Sequence, residues 1–464
     1  MVFGVWWERT ILSHKQAYAA YQSQKQKEEA NMHTQSIRVL SAVAVLISLA
    51  GSCGAQPADF DARTGGLLVG DKSLDLIALT RDLNGDGDVN DADEVVTYFD
   101  NTNAEGFADP TPSVYSICQA ADGWVYAVDG TSDTAWRLRD LNGDGDAEDL
   151  GEAGVWFDNT NASGLTLVTS NGVWPGDDGA VYIINAGTSS SPFDAVYRTV
   201  DLNGDGDAND AGEATLWMDI QNLYEDSSAF EIVFMGDTAY YTDLVGGNPD
   251  ALLWAEDLDG NGVIDVDEYG VVFDDNNAYG VKTSFPLATD GTSLYVMDDD
   301  DNGVKTLYRF TDLNGSKTLD SPDEFQVIWT EDLVPEGYLL GSVFSITYGP
   351  DHKMAVESSG SDSKDNVFVL IDANGDGDYL DDGETTVWAD ANSSGEFLSS
   401  ARAVEYALPY CAADLNADGV IGQEDLGILL ASYGMDDGGD VDGDGDTDQA
   451  DLGALLALYG NPCW

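Results

Sequence analysis

Basic residues are scarce in this 464-residue chain, in which 18 Lys and Arg stand against 86 Asp and Glu and give a formal net charge of −68 at pH 7. A surface this negative repels phosphate backbones and anionic lipid headgroups. We therefore exclude a nucleic-acid-binding protein and an electrostatically recruited membrane protein, and we expect no phosphate-rich ligand. Cations are the expected partners.

Histidine and cysteine are also rare, with three and four residues. Beyond residue 55 the only histidine is His352, so catalytic schemes built on a histidine base or an activated cysteine have almost no candidates. The chain nevertheless has 43% hydrophobic and 10% aromatic residues, which is far from the composition of a disordered protein. The negative charge is therefore carried by a folded protein.

A segment long enough to cross a bilayer is lacking as well. The apolar run that follows Arg38 and ends at Ala50 is about a dozen residues long, which suits a signal peptide and not a transmembrane helix. We expect residues 1–55 to be a leader and signal peptide, with Met32 as a candidate for the true translation start. The protein would then be secreted or held at the cell surface. A lipoprotein attached through Cys53 is the alternative.

An acidic repeat is the main feature that the sequence does contain. The string DLNGDGD begins at Asp82, Asp140 and Asp201, and degenerate copies begin at Asp257, Asp312 and Asp372. These segments are called acidic loops 1 to 6 below, and their positions are counted from that first aspartate. Each loop is followed by a short run that ends in an acid, and an aromatic residue stands two places before that acid, as in GVWFD at 154–158, except that the run after acidic loop 4 has Val272 there. We interpret this aromatic stripe as core packing.

Three further strand-like segments precede each acidic loop, so four short strands recur about every 58 residues, which is typical of a β-propeller blade. The first repeat lacks its first strand, whereas ARAVEYAL at 401–408 has no blade of its own. The sequence predicts an all-β fold over 56–408, a six-bladed β-propeller in which 401–408 supplies the innermost strand of blade 1 and closes the ring. A solenoid of six open repeats is the alternative.

Oxygen-bearing side chains alternate along the acidic loops and indicate Ca²⁺ sites, because Ca²⁺ takes about six to eight oxygen ligands. In acidic loop 1, Asp93 or Glu94 closes the site. The predicted ligands are Asp82, Asn84, Asp86, Asp88 and Glu94; Asp140, Asn142, Asp144, Asp146 and Glu152; Asp201, Asn203, Asp205, Asp207 and Glu213; Asp257, Asp259, Asn261, Asp265 and Glu268; and Asp372, Asn374, Asp376, Asp378 and Glu384. Acidic loop 5 is doubtful, because Ser316 and Lys317 replace Asp-Gly there. The alternative is a set of acidic hairpins that bind no ion.

The segment 409–464 forms a separate small module in this interpretation. Two further loops precede predicted helices at 425–434 and 451–460, and their predicted ligands are Asp414, Asn416, Asp418 and Asp425, and Asp440, Asp442, Asp444, Asp446 and Asp451. The duplicated loop and helix resemble a type I dockerin, in the Cys-framed variant of secreted proteins of planctomycete-like bacteria. In an exported protein the resemblance implies a Cys411–Cys463 disulfide. Up to eight Ca²⁺ ions are predicted in all.

The dockerin resemblance implies attachment to a cohesin-like or cell-surface protein. The residues at the expected contact positions, Gln423-Glu424 and Gln449-Ala450, depart from the family's Ser-Thr pair, so a calcium-binding tail without a cohesin partner is equally open. We predict a non-catalytic binding or assembly module that meets a glycan or protein on the propeller face. The alternative is a dockerin-borne carbohydrate-active enzyme, a hydrolase or lyase, with paired carboxylates.

Overall fold

The computed structural model describes much of the chain from residue 66 onward, and the described residues all belong to one compact unit. The predicted leader lies outside them. The described ranges are 66–107, 113–120, 122–142, 144–176, 178–187, 194–223, 228–244, 250–282, 285–298, 304–349, 352–360, 365–391, 397–407, 413, 415, 421–435, 438–439, 441 and 447–459.

Six four-stranded antiparallel sheets form the blades of a β-propeller, as predicted. From the innermost strand outward they are as follows: blade 1, β24 (Ala401–Ala407), β1 (Gly66–Asp71), β2 (Leu76–Thr80) and β3 (Val95–Phe99); blade 2, β4 (Val114–Gln119), β5 (Val125–Asp129), β6 (Thr134–Leu138) and β7 (Ala153–Asp158); blade 3, β8 (Ser170–Pro175), β9 (Val181–Asn185), β10 (Ala195–Thr199) and β11 (Ala214–Asp219); blade 4, β12 (Ala229–Met235), β13 (Thr238–Asp243), β14 (Ala251–Ala255) and β15 (Tyr269–Asp274); blade 5, β16 (Leu287–Thr289), β17 (Leu294–Asp298), β18 (Thr306–Phe310) and β19 (Phe325–Thr330); blade 6, β20 (Ile346–Tyr348), β21 (Lys353–Ser358), β22 (Asn366–Ile371) and β23 (Thr385–Asp390).

The innermost strands contact one another around a closed ring in the order β24, β4, β8, β12, β16, β20 and back to β24. Strand β24 pairs with β1 in antiparallel register from Gly66 opposite Ala407 to Asp71 opposite Ala401. The predicted ring closure is thus confirmed, and the open solenoid is wrong because the last strand of the propeller pairs with the first. Closure leaves neither of these two strands with an unpaired edge at the seam.

Every outermost strand carries a β-bulge at the same place in its ladder. In blade 2, Phe157 faces Ala135 and Val155 faces Trp136, which leaves Trp156 as the extra residue. A bulge takes one residue out of the regular ladder and reorients its backbone groups. The corresponding residues of blades 1 to 6 are Tyr98, Trp156, Trp217, Val272, Ile328 and Trp388.

The aromatic stripe predicted from the sequence is this row of bulged residues, with one correction. In blade 5 the bulged residue is Ile328, and Trp329 takes the place of Phe157 in the ladder. The prediction took the residue two places before Glu331, which is Trp329. It missed the bulged residue by one position, because β19 ends at Thr330, one residue before that acid. The side chains of the stripe are buried between blades, as expected for core packing.

Helices are few. The single turn α1 (Ile220–Leu223) follows blade 3, and α2 (Gln423–Ser432) and α3 (Gln449–Leu458) lie in the tail, two residues earlier than predicted. Leu429 and Leu455 are fully buried in one small cluster with Ile421. Gly434 follows α2 with a φ of +67°, which fits the predicted glycine cap. Among the described residues no helix is long and apolar enough to cross a bilayer.

Candidate metal loops and propeller axis

The first aspartate of an acidic loop caps the backbone of that loop. Asp82 Oδ1 accepts hydrogen bonds from the N–H groups of Gly85 (2.6 Å) and Asp86 (3.2 Å), and Oδ2 accepts one from Gly87 (2.8 Å). The two glycines have φ of +78° and +98°, a region that glycine adopts without steric cost. The same pair of glycine contacts recurs at Asp201, Asp257 and Asp372.

A buried glutamate closes each loop. Glu94 Oε1 accepts a hydrogen bond from the N–H of Leu83 and Oε2 accepts one from the N–H of Asp91, both at 3.0 Å. Asp93, the other candidate in this loop, is exposed and has a φ of +70°, so Glu94 is the residue that turns inward. The equivalent buried glutamates are Glu152, Glu213, Glu268, Glu324 and Glu384.

An aspartate three residues before the closing glutamate also belongs to the loop, and the sequence analysis included it only as Asp265. The asparagine at position 3 donates its Nδ2–H to this carboxylate, from Asn142 to Asp149 at 2.7 Å and from Asn203 to Asp210 at 2.8 Å. Its recurrence three places before the glutamate was the available signal. The residues missed are Asp91, Asp149, Asp210 and Asp381.

Acidic loops 2 and 4 each bring three carboxylates close enough to share one ion, with the possible ligand oxygens within 4.8 Å of one another. Oxygen atoms at that spacing leave room for a hard cation between them. In the other four acidic loops no such trio occurs among the described residues. The trios are Asp144, Asp146 and Glu152, and Asp257, Asp259 and Glu268.

In acidic loops 2 and 3, burial and neighbouring carboxylates raise the pKa of the aspartate at position 7. Burial is the main cause at Asp146, and the negative charges of Asp144 and Asp149 add to the rise in its pKa. The pKa of Asp207 is raised in the same way by burial and by Asp205 among other acids. A bound cation lowers such pKa values, because it stabilises the ionised form.

Acidic loop 5 contains a cation of its own. Lys317, at position 6, has a φ of +57° where the other loops place glycine. Its ammonium group forms an ion pair with Glu256 of blade 4 and lies 4.6 Å from the centroid of the Trp254 ring. Although burial opposes it, hydrogen bonds from Lys317 and Thr238 hold the pKa of Glu256 below its ordinary value. These contacts agree with the doubt about this loop as a Ca²⁺ site.

The residue at position 8 of each loop connects two blades. The N–H of Val89 donates to the carbonyl oxygen of Trp388 at 2.9 Å, and the N–H of Ala147 donates to that of Tyr98 at 2.8 Å. The acceptor is in every case the bulged residue of the preceding blade, which the ladder leaves unpaired. The remaining pairs are Ala208 to Trp156, Ile264 to Trp217, Leu319 to Val272, and Tyr379 to Ile328. Each acidic loop is therefore part of a blade junction.

The neighbouring residue at position 9 contacts the loop that leaves the preceding blade. Glu148 accepts hydrogen bonds from the N–H of Asp100 (2.6 Å) and from Thr102 Oγ1 (2.7 Å), and Asn209 Oδ1 accepts one from the N–H of Asp158 (3.1 Å). These contacts give a structural reason for the near-identical segments NTNAEG (101–106) and NTNASG (159–164).

The closing acids of the two tail loops repeat the pattern of the blades. Asp451 is fully buried, and its oxygens accept hydrogen bonds from the N–H groups of Val441 (2.8 Å) and Asp448 (2.6 Å). Asp425 is also fully buried and accepts one from Gly422 at 2.6 Å. The other predicted tail ligands lie outside the described residues: Asp414, Asn416, Asp418, Asp440, Asp442, Asp444 and Asp446.

Two glutamates at the propeller axis were not predicted from the sequence. Glu231 of β12 accepts a hydrogen bond from Ser116 Oγ of blade 2 at 3.1 Å, and Glu405 of β24 accepts one from Thr347 Oγ1 of blade 6 at 2.7 Å. Burial raises the pKa of both carboxyl groups to about 8, and the charge of Glu405 contributes to the shift at Glu231. The innermost strands recur in every blade, but these two glutamates do not recur with them, so no sequence pattern marked them.

Cys118, in β4, is disulfide-bonded, and its partner lies outside the described residues. The predicted Cys411–Cys463 pair lies outside them too. The remaining cysteine is Cys53.

Comparison with known proteins gives structural neighbours only. No family model matches the chain, and no curated protein matches it. Similar solved structures include a gluconolactonase from Xanthomonas campestris (13% identity, TM-score 0.40, 77% of this chain and 99% of that one), an aldose sugar dehydrogenase from Streptomyces coelicolor (14%, 0.39, 77% and 98%) and TolB from Acinetobacter baumannii (11%, 0.42, 74% and 66%). At such identities no activity transfers to this chain.

Proposed function

We propose that this protein is an exported, calcium-stabilised β-propeller that serves as a binding or assembly module, with its helical tail as the attachment part. The observation that carries the proposal is the position 8 hydrogen bond, which makes every acidic loop a contact between two blades. An ion bound in the loop would therefore stabilise the ring as well as the loop.

The donor chemistry supports calcium. The loops offer carboxylate and amide oxygens, and in acidic loops 2 and 4 three carboxylates lie within reach of one ion. Calcium accepts flexible sets of oxygen ligands, whereas Mg²⁺ demands strict octahedral geometry and releases its waters reluctantly. Asn142 Oδ1, which accepts a hydrogen bond from the N–H of Asp144 at 2.8 Å, is a further oxygen of acidic loop 2. Binding also offsets carboxylate repulsion in a chain of net charge −68.

Thermal unfolding tests the proposal, because free energy of binding to the folded state adds to its stability. We expect excess EGTA at low salt to lower the melting temperature by roughly ten degrees or more, because several bound ions would be removed. Ca²⁺ should restore the melting temperature, and equimolar Mg²⁺ should not. Asp144→Asn should reduce the Ca²⁺-dependent gain, whereas Asp122→Asn, outside the loops, should leave it unchanged. A melting temperature that is the same in EGTA and in Ca²⁺ contradicts the proposal.

Export and attachment rest on the sequence features together. A signal-like leader, a duplicated calcium loop with helices and the dockerin resemblance all favour a protein that acts outside the cell. A cohesin-like or cell-surface protein is the proposed partner of the tail. Pull-down with the Ca²⁺-loaded full chain and with a chain ending at residue 410 tests it: the partner should be retained by the first and lost by the second.

A carbohydrate-active enzyme remains the second candidate, and the axial carboxyl groups are the observation that favours it. Glu231 and Glu405 lie in blades 4 and 1, on opposite sides of the ring, and acid chemistry on a glycosidic bond uses a pair of carboxyl groups of which one has a raised pKa. Release of reducing sugar from a polysaccharide panel, abolished by Glu231→Gln, would establish the enzyme.

A further inference from the structure

Arg402 lies on the innermost strand of blade 1 and has no carboxylate partner among the described residues. Its Cζ is 3.5 Å from the centroid of the Phe344 ring and 5.5 Å from that of Tyr115. Its Nε is buried and has no hydrogen-bond partner among the described residues. Arg198 shows the opposite arrangement, with its Nη2 2.6 Å from Asp178 Oδ2. Within the part of the chain that the structure describes, Arg402 is therefore stacked on aromatic rings and is not paired with an acid.

A row of packed aromatic rings from neighbouring blades extends around the axis and ends at the Arg402 guanidinium. Phe230 of blade 4 packs against Phe285 at 4.5 Å between ring centroids, and Phe285 packs against Phe344 at 5.1 Å. These residues precede or begin the innermost strands of their blades, and each is half-buried. Together with Arg402 and Tyr115 they form a wall that spans blades 4, 5, 6, 1 and 2, which we call the axial mouth.

Hydrogen-bonding groups follow one residue further along the same strands. Ser116 follows Tyr115 in blade 2, and Glu231 follows Phe230 in blade 4. The Ser116 hydroxyl donates a hydrogen bond to the Glu231 carboxyl group across the axis, past blade 3. Blade 3 places Gly172 there, where a Cβ atom would lie 2.6 Å from the carbonyl oxygen of Phe230. Since burial raises the pKa of Glu231 to about 8, its carboxyl is mostly neutral at pH 7 and both donates and accepts hydrogen bonds.

We propose that the axial mouth binds a small hydroxylated carboxylic acid of the sugar-acid class. Arg402 would hold the carboxylate, because a guanidinium presents paired donors that match a carboxylate. The phenylalanine rings would cover the C–H face of the ligand, and Ser116 with Glu231 would meet its hydroxyl groups. The inference rests on the proposed binding role of the propeller and names the class of ligand.

The strong negative charge of the chain disfavours non-specific binding of anions. Its field repels anions from the surface at large, so saturable binding of an anion requires a specific cationic site. Among the described residues Arg402, on the innermost strand β24, supplies such a cation at the axis. The axial carboxyl groups of Glu231 and Glu405 are largely uncharged at pH 7, because burial raises the pKa of each to about 8. A phosphate ester is the other anion that a guanidinium accepts, and it enters the test as a competing outcome.

Calorimetric titration of the full chain in excess Ca²⁺ tests the proposal with D-glucuronate, D-glucose and glucose 6-phosphate. We expect one glucuronate per chain, at least tenfold tighter than glucose. Arg402→Met should weaken glucuronate at least tenfold, Arg402→Lys should recover part of the loss, and Arg198→Met should bind as the unmodified chain does.

Glucuronate no tighter than glucose, or undiminished binding by Arg402→Met, would overturn the proposal, and preference for glucose 6-phosphate would overturn the carboxylate assignment. Ser116→Ala, which leaves the aromatic wall intact, keeps the test valid if Arg402→Met does not fold: unchanged glucuronate affinity in Ser116→Ala would then count against the site. Calcium dependence is measured separately, so glucuronate binding with an EGTA-insensitive melt would contradict the calcium proposal alone.

Discussion

Val89 and Trp388 join the two ends of the propeller chain. The N–H of Val89 donates to the carbonyl oxygen of Trp388 at 2.9 Å, and Trp388 Nε1 donates in turn to Thr80 Oγ1 at 2.9 Å. An equivalent indole bond joins Trp156 to Thr199 at 2.8 Å within the chain. The seam is therefore built like an internal junction, although Val89 and Trp388 come from opposite ends of the propeller chain.

This equivalence predicts equal costs for removing the indole donor at the seam and within the chain. Trp388→Phe should lower the free energy of unfolding by about 1 to 2 kcal/mol, since a buried hydrogen bond and some packing are lost. Trp156→Phe, its matched control, should cost about the same. Urea denaturation in excess Ca²⁺ measures both. A neutral Trp388→Phe beside a destabilising Trp156→Phe would show that the seam is not formed in solution.

Because Lys317 lies in acidic loop 5, we expect this loop to contribute to stability independently of Ca²⁺, unlike acidic loop 2. Lys317→Met should lower the free energy of unfolding by about 0.5 to 1 kcal/mol, because it removes a partly buried ion pair and a cation–π contact. The loss should be equal in Ca²⁺ and in EGTA, since the lysine replaces the ion there. Asp144→Asn in acidic loop 2 is the contrasting variant, whose loss should appear only in Ca²⁺. A Lys317→Met effect confined to Ca²⁺ would contradict this account.

The features that could be predicted from the sequence are those that recur from blade to blade. The strands, the acidic loops and the closing strand 401–408 recur or complete a recurrence, so their positions followed from spacing. Trp329 was misplaced because β19 ends one residue before the acid used for counting. Glu231, Glu405 and Arg402 come from three non-equivalent positions on two innermost strands, and only the closed ring brings them to one axis.

The bonded Cys118 predicts a disulfide pattern that differs from the one implied by the dockerin resemblance. If the exported protein lacks Cys53, non-reducing peptide mapping should find Cys118 linked to Cys411 or Cys463 and one free thiol per chain. Cys118→Ser should then lower the free energy of unfolding by about 2 to 4 kcal/mol, as loss of a structural disulfide does. A linked Cys411–Cys463 peptide beside a free Cys118 would contradict this pattern and favour the pairing implied by the resemblance.

The axial glutamates predict a pH dependence of stability with a definite sign. Burial raises the pKa of Glu231 from 4.5 to about 8 in the folded protein, so the folded state holds the proton more tightly than the unfolded state. The stability linked to this proton is fully present below about pH 4.5, is lost as the pH rises, and is gone above about pH 8. Glu405 shifts in the same direction and over the same range.

Replacing Glu231 by glutamine removes the ionisation while keeping a polar side chain of the same size. Relative to the unmodified chain, Glu231→Gln should therefore gain stability as the pH rises from 5 to 8, by on the order of 3 kcal/mol over that interval. Asp237→Asn, at an exposed turn, should show no such trend. Saturating Ca²⁺ at every pH keeps titration of the acidic loops common to all three proteins, so the difference between variants isolates the axial group. A Glu231→Gln difference that stays constant from pH 5 to 8 would mean that Glu231 is ionised throughout, and the neutral carboxyl assumed at the axial mouth would have to be abandoned.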